Sequence, residues 1–496
     1  MSRSRALYLA IDQGGHATRA MVFDRRGACL GRCEAPVVTR RTGPGRAEHD
    51  ADALLASVRD VVDRAVGGLG PERGRIAAAG LATQRSTIAC WDRATGHALA
   101  PVISWQDLRT ARAAERHRDR AGEIHRRTGL RLSPHYGATK LAWCLQHLEP
   151  VRQARSRERL AMGPLASFLL WHLAAEHPFL ADPANAARTL LWSLADGDWD
   201  PVLAEWFGVP LDVLPRCVAT RHPFGTVRAA GVDIPLTIVT GDQPAALFAD
   251  GPPAPEVVYL TLGTGAFIQR VGPAFPRVDE DLLTGVAFRD ADSTVYVAEG
   301  TVNGAGSALD WAAAELGMPR EALDAGLEGW LDNAGELPLF LNGVSGLGSP
   351  YWRAQLDSRW IGGGGPQRRC AAVAESIAFL VAVNTALLAA APPPARLVAA
   401  GGGLARIDGL CRRVAALTGL AVRRSAQAES TARGTACLSA GLPVQWRPAP
   451  VEREFPPQRD PALEGRFARW LRALDQALAP PPAGGGRAPA HESAPR

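Results

Sequence analysis

The stretch Ala6-Leu7-Tyr8-Leu9-Ala10-Ile11-Asp12-Gln13-Gly14-Gly15-His16-Ala17-Thr18-Arg19-Ala20-Met21-Val22-Phe23-Asp24 carries the pattern on which the fold turns. Ala6 to Ile11 is a short apolar run, Asp12 to His16 a glycine turn, and Arg19 to Asp24 resumes a strand pattern. Strand, glycine turn and strand read as a hairpin. The same order returns at mid-chain: Val257 to Leu262 is a strand run, Gly263-Thr264-Gly265 a tight turn, and Phe267 to Val271 the returning strand. Two hairpins, one opening each half, predict an α/β protein built of duplicated domains that face one another.

Working outward, Leu54, Val58, Val61, Val62 and Ala65 recur at helical spacing, with Asp50 as N-cap and Gly67-Gly68 as the stop. A strand at Ile76 to Ala82 follows, and Pro235 to Thr240 is another, running directly into Gly241-Asp242-Gln243. Gly251, Pro252, Pro253 and Pro255 interrupt the alternation and mark the boundary between halves. In the second half, Val373, Ile377, Leu380, Val381, Asn384 and Leu387 describe a helix with one mostly apolar face. Arg396 to Ala400 is a strand ending in Gly401-Gly402-Gly403, followed by a helix through Leu410, Val414 and Leu417. The expected organisation is an N-terminal domain at 1–250, a C-terminal domain at 251–445, a helical extension at 446–479 and a disordered Pro/Gly/Ala-rich tail at 480–496.

A chain of 496 residues is too long for one compact core, which agrees with two domains. No stretch approaches 18 uncharged apolar residues, so neither a membrane span nor a signal peptide is expected, and the reading is cytoplasmic. The 8 cysteines are scattered without zinc-type spacing and read as free thiols. Net charge is +5, yet Lys140 is the only lysine, and the arginines are interspersed with acids. No basic stripe interleaved with aromatics is present, which argues against a nucleic-acid partner.

Transfer of a γ-phosphoryl group needs donors for the phosphates, an anchor for Mg²⁺ and a base for the attacking hydroxyl. The turns at Gly14-Gly15 and Gly263-Thr264-Gly265 offer backbone N–H groups, Thr264 adds a hydroxyl, and Asp12 stands at a strand end where it suits Mg²⁺. Each also has a structural reading. A glycine hairpin is usually just a turn, Asp242 fits an Asx turn or a helix N-cap, Arg85 a salt-bridged arginine, and Trp105 ordinary core.

Taken in order, the motifs resemble those of the FGGY carbohydrate kinase family, most closely its glycerol kinases. Ala10-Ile11-Asp12-Gln13-Gly14 with Arg19-Ala20, Glu48-His49-Asp50, Gln84-Arg85, Trp91-Asp92-Arg93 and Trp105-Gln106-Asp107 are similar to successive segments of that family. So are Leu132-Ser133-Pro134, Ala138-Thr139-Lys140-Leu141, Gly241-Asp242-Gln243, Gly263-Thr264-Gly265, Glu299-Gly300, Ser345-Gly346-Leu347-Gly348, Gly402-Gly403 and Glu429-Ser430-Thr431-Ala432-Arg433-Gly434. The resemblance spans about residue 6 to about residue 478. It implies two actin-like (ribonuclease H-like) domains around a central cleft, and ATP with Mg²⁺ used to phosphorylate a primary hydroxyl of glycerol or a related polyol or sugar. It implies Asp242 as catalytic base, with Arg85, Ser86, Trp105, His135 and Gln243 around the acceptor. Gly14, Gly15, His16, Thr18, Arg19, Thr264, Gly265, Gly306, Gly402 and Gly403 fall to ATP, and Asp12 to the metal. Relatives are often dimers or tetramers, so the resemblance implies a homodimer or homotetramer without choosing between them.

The sequence also departs from the family. Gly15, His16 and Ala17 stand where relatives carry Thr-Thr-Ser, which removes two hydroxyl donors and leaves Thr18 and Arg19 nearby. Ser86 replaces a glutamate, and His135 replaces a tyrosine with a switchable donor or acceptor. Asp233 stands where relatives inhibited by fructose 1,6-bisphosphate carry an arginine, so that regulation is not expected. Two other readings follow from these changes: a pentulose or tetritol kinase, and a catalytically weak relative that binds polyol or nucleotide as a regulator.

Overall fold

The computed structural model describes residues 6–272, 278–333, 335–426 and 429–479. The expected disordered tail at 480–496 lies outside them. Two large mixed sheets organise the chain. In the first, Leu7–Gln13 pairs antiparallel with Ala17–Asp24 on one side and parallel with Ile76–Thr83 on the other, and Val232–Gly241 runs parallel beyond that. In the second, Val257–Leu262 pairs antiparallel with Ala266–Gly272 and parallel with Leu397–Gly401, and Ala421–Ser425 runs parallel beyond that. The opening hairpin therefore plays the same part in both sheets. Leu7–Gln13 is buried along its whole length because helices cover both faces, which is why it reads as an unbroken apolar run rather than an alternating one.

Helix Ala51–Gly67 lies over the first sheet, and the Asp50 carboxylate accepts the Ala53 N–H at 3.0 Å, the N-cap expected from sequence. Helix Ser430–Ser439, from the second half of the chain, packs on the first sheet. Its Ala432, Ala436 and Cys437 meet Tyr8, Ala10, Met21 and Ala78. At Gly80 a Cβ would come within 2.7 Å of the Thr435 methyl, and at Gly434 one would strike the Ala245 carbonyl.

One expectation is corrected here. Helix Pro366–Ala389 is long and apolar enough to cross a membrane by length and composition, but 83% of its apolar window is buried inside the protein. It has no single apolar face; Cys370 to Ala382 is buried on every side. Its one acid, Glu375, is held by Arg466 at 2.8 Å and Arg413 at 3.2 Å, so the charge enters the core paired. Arg466 comes from the C-terminal helix Pro461–Leu478, whose Trp470 packs on Phe379 and donates its indole N–H to the Phe340 carbonyl at 2.8 Å.

Candidate active site

Strand register assembles the site. In the first sheet Gln13 is level with Thr83, and Thr83 is level with Gly241. The three parallel strands thus end together, bringing Asp12, Gln84-Arg85 and Asp242-Gln243 side by side at their carboxyl ends, where ligands of open α/β sheets bind. Gly241 is required for this: a Cβ there would overlap the Arg85 side chain.

Arg85 is the hub. One Nη donates to the Gln243 amide oxygen in a short hydrogen bond, Nε lies 3.8 Å from Asp242, and Nη2 lies 3.6 Å from Glu299. Glu299 belongs to the second sheet and also accepts from Arg188 at 2.9 Å and Gln269 at 2.8 Å. Burial pushes Glu299 up, but Arg188 and Arg85 together hold it below the ordinary glutamate range. Burial, helped by the nearby Arg188, lowers Arg85 to about 10, so it remains charged at neutral pH. Sequence reasoning missed Arg188 and Gln269 as site residues, and met Glu299 only as part of a motif. Their signal is the pairing itself, across 111 residues of chain, which no local pattern announces.

Trp105 and His135 stand edge to face at 5.4 Å, and Tyr136 meets His135 at 5.0 Å. Ser86 is buried and adopts a φ of 62°, a left-handed conformation uncommon for serine. His135 keeps one donor and one acceptor nitrogen as a neutral ring. Burial, with Lys140 and Arg188 close by, drives its pKa well below the usual histidine value, so the ring stays neutral.

Asp242 opens a short helical turn, Asp242–Ala246, and accepts the Gln243 N–H at 2.8 Å. Its side chain keeps 32% of its surface exposed. Desolvation nonetheless raises its pKa, with Arg85 pulling the other way. Asp12 is raised further, to about 7, by burial first and then by the charge of Asp242. Arg19 at 3.8 Å relieves it only in part, because that guanidinium also serves Glu34 at 3.1 Å and Glu429 at 3.3 Å. A buried carboxylate raised further by a neighbouring one, with a single arginine shared among three acids, makes a donor set short of positive charge. A hydrated divalent cation fits there.

The phosphate-side expectations divide. The Gly14 N–H closes its own turn on the Ala17 carbonyl at 2.9 Å and is not free for a ligand. Gly15 is the close approach of the turn to Trp105, since a Cβ would come within 3.6 Å of its indole nitrogen. His16 is exposed at the turn. Thr18 is a correction. Ser57 donates its hydroxyl to the Leu54 carbonyl at 2.7 Å, so in the 2.9 Å contact between the two hydroxyls Thr18 is the donor. Its hydrogen is spent against helix Ala51–Gly67.

The second turn is built differently. Thr264 is exposed, and its carbonyl accepts the Ala305 and Ser307 N–H groups, both at 3.1 Å. The Gly263 carbonyl accepts the Gly306 N–H at 2.9 Å, and a Cβ on Gly306 would press on that same carbonyl. Thr261 is level with Gly401, so Gly402 and Gly403 leave the sheet beside Thr264 and Gly265. Gly402 has a φ of 91° and passes so close to Leu262 that a Cβ would meet its carbonyl oxygen at 2.3 Å. Thr264, Gly265, Gly306, Gly402 and Gly403 are thus brought together.

Known proteins match the chain along most of its length. The model of the FGGY family of carbohydrate kinases matches in its N-terminal domain over residues 7–249 and in its C-terminal domain over residues 258–441. A glycerol kinase of Aromatoleum aromaticum is 34% identical over 490 residues, covering 95% of this chain and 98% of its own. One from Trichlorobacter lovleyi is 35% identical over 494 residues, covering 94% and 98%. Among solved structures, a Plasmodium falciparum glycerol kinase with ADP superimposes with a TM-score of 0.84 at 22% identity, over 96% of this chain and 99% of that one. A xylulose kinase from Rhodospirillum rubrum gives 0.82 at 18% identity, over 95% and 98%. At such identities these two superpositions speak for the fold alone. With both domain models matched across nearly the whole chain, the protein belongs to the FGGY family of carbohydrate kinases and is an ATP-dependent, glycerol kinase-like phosphotransferase.

Proposed function

We propose that the chain phosphorylates a primary hydroxyl of glycerol or a closely related polyol, with Asp242 as the base. The observation that carries this reading is the position of Asp242, between Arg85 and Gln243 on the acceptor side and the charge of Asp12 on the phosphate side. The curated relatives of similar length and about a third identity are glycerol kinases, which supports the acceptor class.

In this reading Arg85 and the free amide N–H of Gln243 orient the acceptor hydroxyls, and Trp105 packs on the carbon chain. The acceptor oxygen attacks the γ-phosphorus, the bond from that phosphorus to the β-bridging oxygen breaks, ADP leaves, and the hydroxyl proton passes to the Asp242 carboxylate. A raised pKa makes that carboxylate a better proton acceptor. Mg²⁺ would be held on the Asp12 side through water and would neutralise phosphate charge. Thr264 and the Gly402-Gly403 turn bind the nucleotide.

A pentulose or tetritol kinase is the second reading, favoured by Ser86 and neutral His135, which leave the pocket without the family's glutamate and phenol. ADP release with MgATP, measured across glycerol, erythritol, ribitol, xylitol, ribulose and xylulose, separates the two. Glycerol turnover that Asp242→Asn lowers by at least a thousandfold supports the first. Faster turnover of a larger acceptor supports the second. Nucleotide binding with no turnover of any acceptor would replace both with a regulatory binding protein.

A further inference from the structure

The only lysine of the chain, Lys140, is fully buried in helix Gly137–His147. Its Nζ donates to the carbonyls of His135 at 2.7 Å, Ser104 at 2.8 Å and Ser86 at 3.4 Å. Among the described residues no carboxylate lies within ion-pair distance of it. Asp107, whose charge it feels, is spent on Arg109 at 2.7 and 2.8 Å and on the Ala47 N–H at 2.7 Å. Desolvation lowers Lys140 to about 7, while three carbonyl acceptors, which call for three N–H donors, favour its charged form.

An unpaired buried cation is costly, and a methionine of similar volume would fill the space without that cost. The three carbonyls explain what the charge achieves. They belong to the three segments that bear Ser86, Trp105 and His135, the side chains around the acceptor. One of them, Ser86, needs outside help to hold its left-handed φ of 62°.

We propose that Lys140 is a positioning residue that sets the shape of the acceptor pocket by gathering these three backbone carbonyls on one ammonium. The inference rests on the acceptor pocket of the preceding section. It adds that acceptor recognition, and not nucleotide recognition, runs through this side chain. Any acceptor that moves Ser86, Trp105 or His135 must then move the donors at Nζ.

A single lysine makes the test direct. Protein grown with ¹³Cε,¹⁵Nζ-lysine gives one side-chain signal. Glycerol, erythritol, ribitol, xylitol, ribulose and xylulose are each added to saturation, and MgADP separately. The expected result is a shift with at least one polyol or sugar that MgADP does not reproduce; silence with all six overturns the proposal. Lys140→Met should raise the acceptor KM at least tenfold and leave the ATP KM within twofold, whereas equal losses for both substrates would reduce Lys140 to a general structural role. Turnover and its loss in Asp242→Asn judge the kinase reading separately, because phosphoryl transfer can fail while binding still moves the lysine signal.

Discussion

The two glycine hairpins occupy equivalent places, each opening its sheet with an antiparallel partner on one side and a parallel strand on the other. Their turns share glycines and differ in charge. The first is crowded with charge: Asp12 and Arg19 lie within it, and Glu34 and Glu429 reach in from outside. The second, from Leu260 to Ile268, carries no ionisable side chain and rests its carbonyls on the start of helix Gly306–Glu315. Strand position decides where a turn will be, and the side chains at its ends decide what the turn can do. The first turn is an electrostatic device and the second a geometric one, a difference that mutation of each can break.

The largest effect belongs to the charged turn. Asp12→Asn should lower kcat/KM by roughly 10²- to 10³-fold, the scale of losing one electrostatic element in a water-poor site. The same change should stabilise the protein without ligands. The folded pKa of Asp12 is about 7 against an ordinary 3.8, so the native state binds the extra proton between those values. Stability therefore falls as pH rises through that window, by on the order of a few kcal/mol. Thermal melts at pH 8 should show Asp12→Asn above the wild type, and MgATP should raise the wild type more. A variant equal to the wild type in both assays would mean that the first turn is geometric after all.

For the neutral turn the disruptive change is steric. Gly402→Ala places a Cβ where it would meet the Leu262 carbonyl at 2.3 Å, on a residue with a φ of 91°. Neither a backbone carbonyl nor a central strand yields cheaply, so a loss of about 2–4 kcal/mol in denaturant unfolding is expected, together with weakened nucleotide binding. A Cβ on the neighbouring Gly403 would meet nothing within 4 Å, so Gly403→Ala should fold normally. Equal stability of the two variants would contradict the close packing assigned to Gly402.

How much of this was legible in the sequence follows the same division. The hairpins, the Asp50 cap and the strand before Asp242 could be read because periodicity and turn chemistry are local. The corners of the site that escaped are made by distant partners. Arg188 and Glu299 meet from opposite halves, and helix Ser430–Ser439 crosses to cover the first sheet. Helix Pro366–Ala389 misled for a related reason, because periodicity names a face only when one side meets water, and from Cys370 to Ala382 neither does. Family resemblance supplied Thr18 as a phosphate ligand, but which way a strand residue turns depends on the helix laid over it.

That last point yields the smallest and sharpest test, since the two hairpins can be compared at Thr18 and Thr264. Thr264 is exposed there, and its hydroxyl is free to reach a phosphate; Thr18 has given its hydrogen to Ser57. Thr264→Val should raise the ATP KM roughly tenfold, the value of one hydrogen bond to a charged oxygen. Thr18→Val removes a bond inside the fold instead. It should leave the ATP KM within twofold and cost about 1 kcal/mol of stability, with Ser57 keeping its own bond to the Leu54 carbonyl. If Thr18→Val weakened ATP as much as Thr264→Val, the first hairpin would have to turn its threonine outward when nucleotide binds, and helix Ala51–Gly67 would have to release it. Comparing melts with and without MgATP decides this, because such a release would appear as nucleotide-dependent stability that the valine variant lacks.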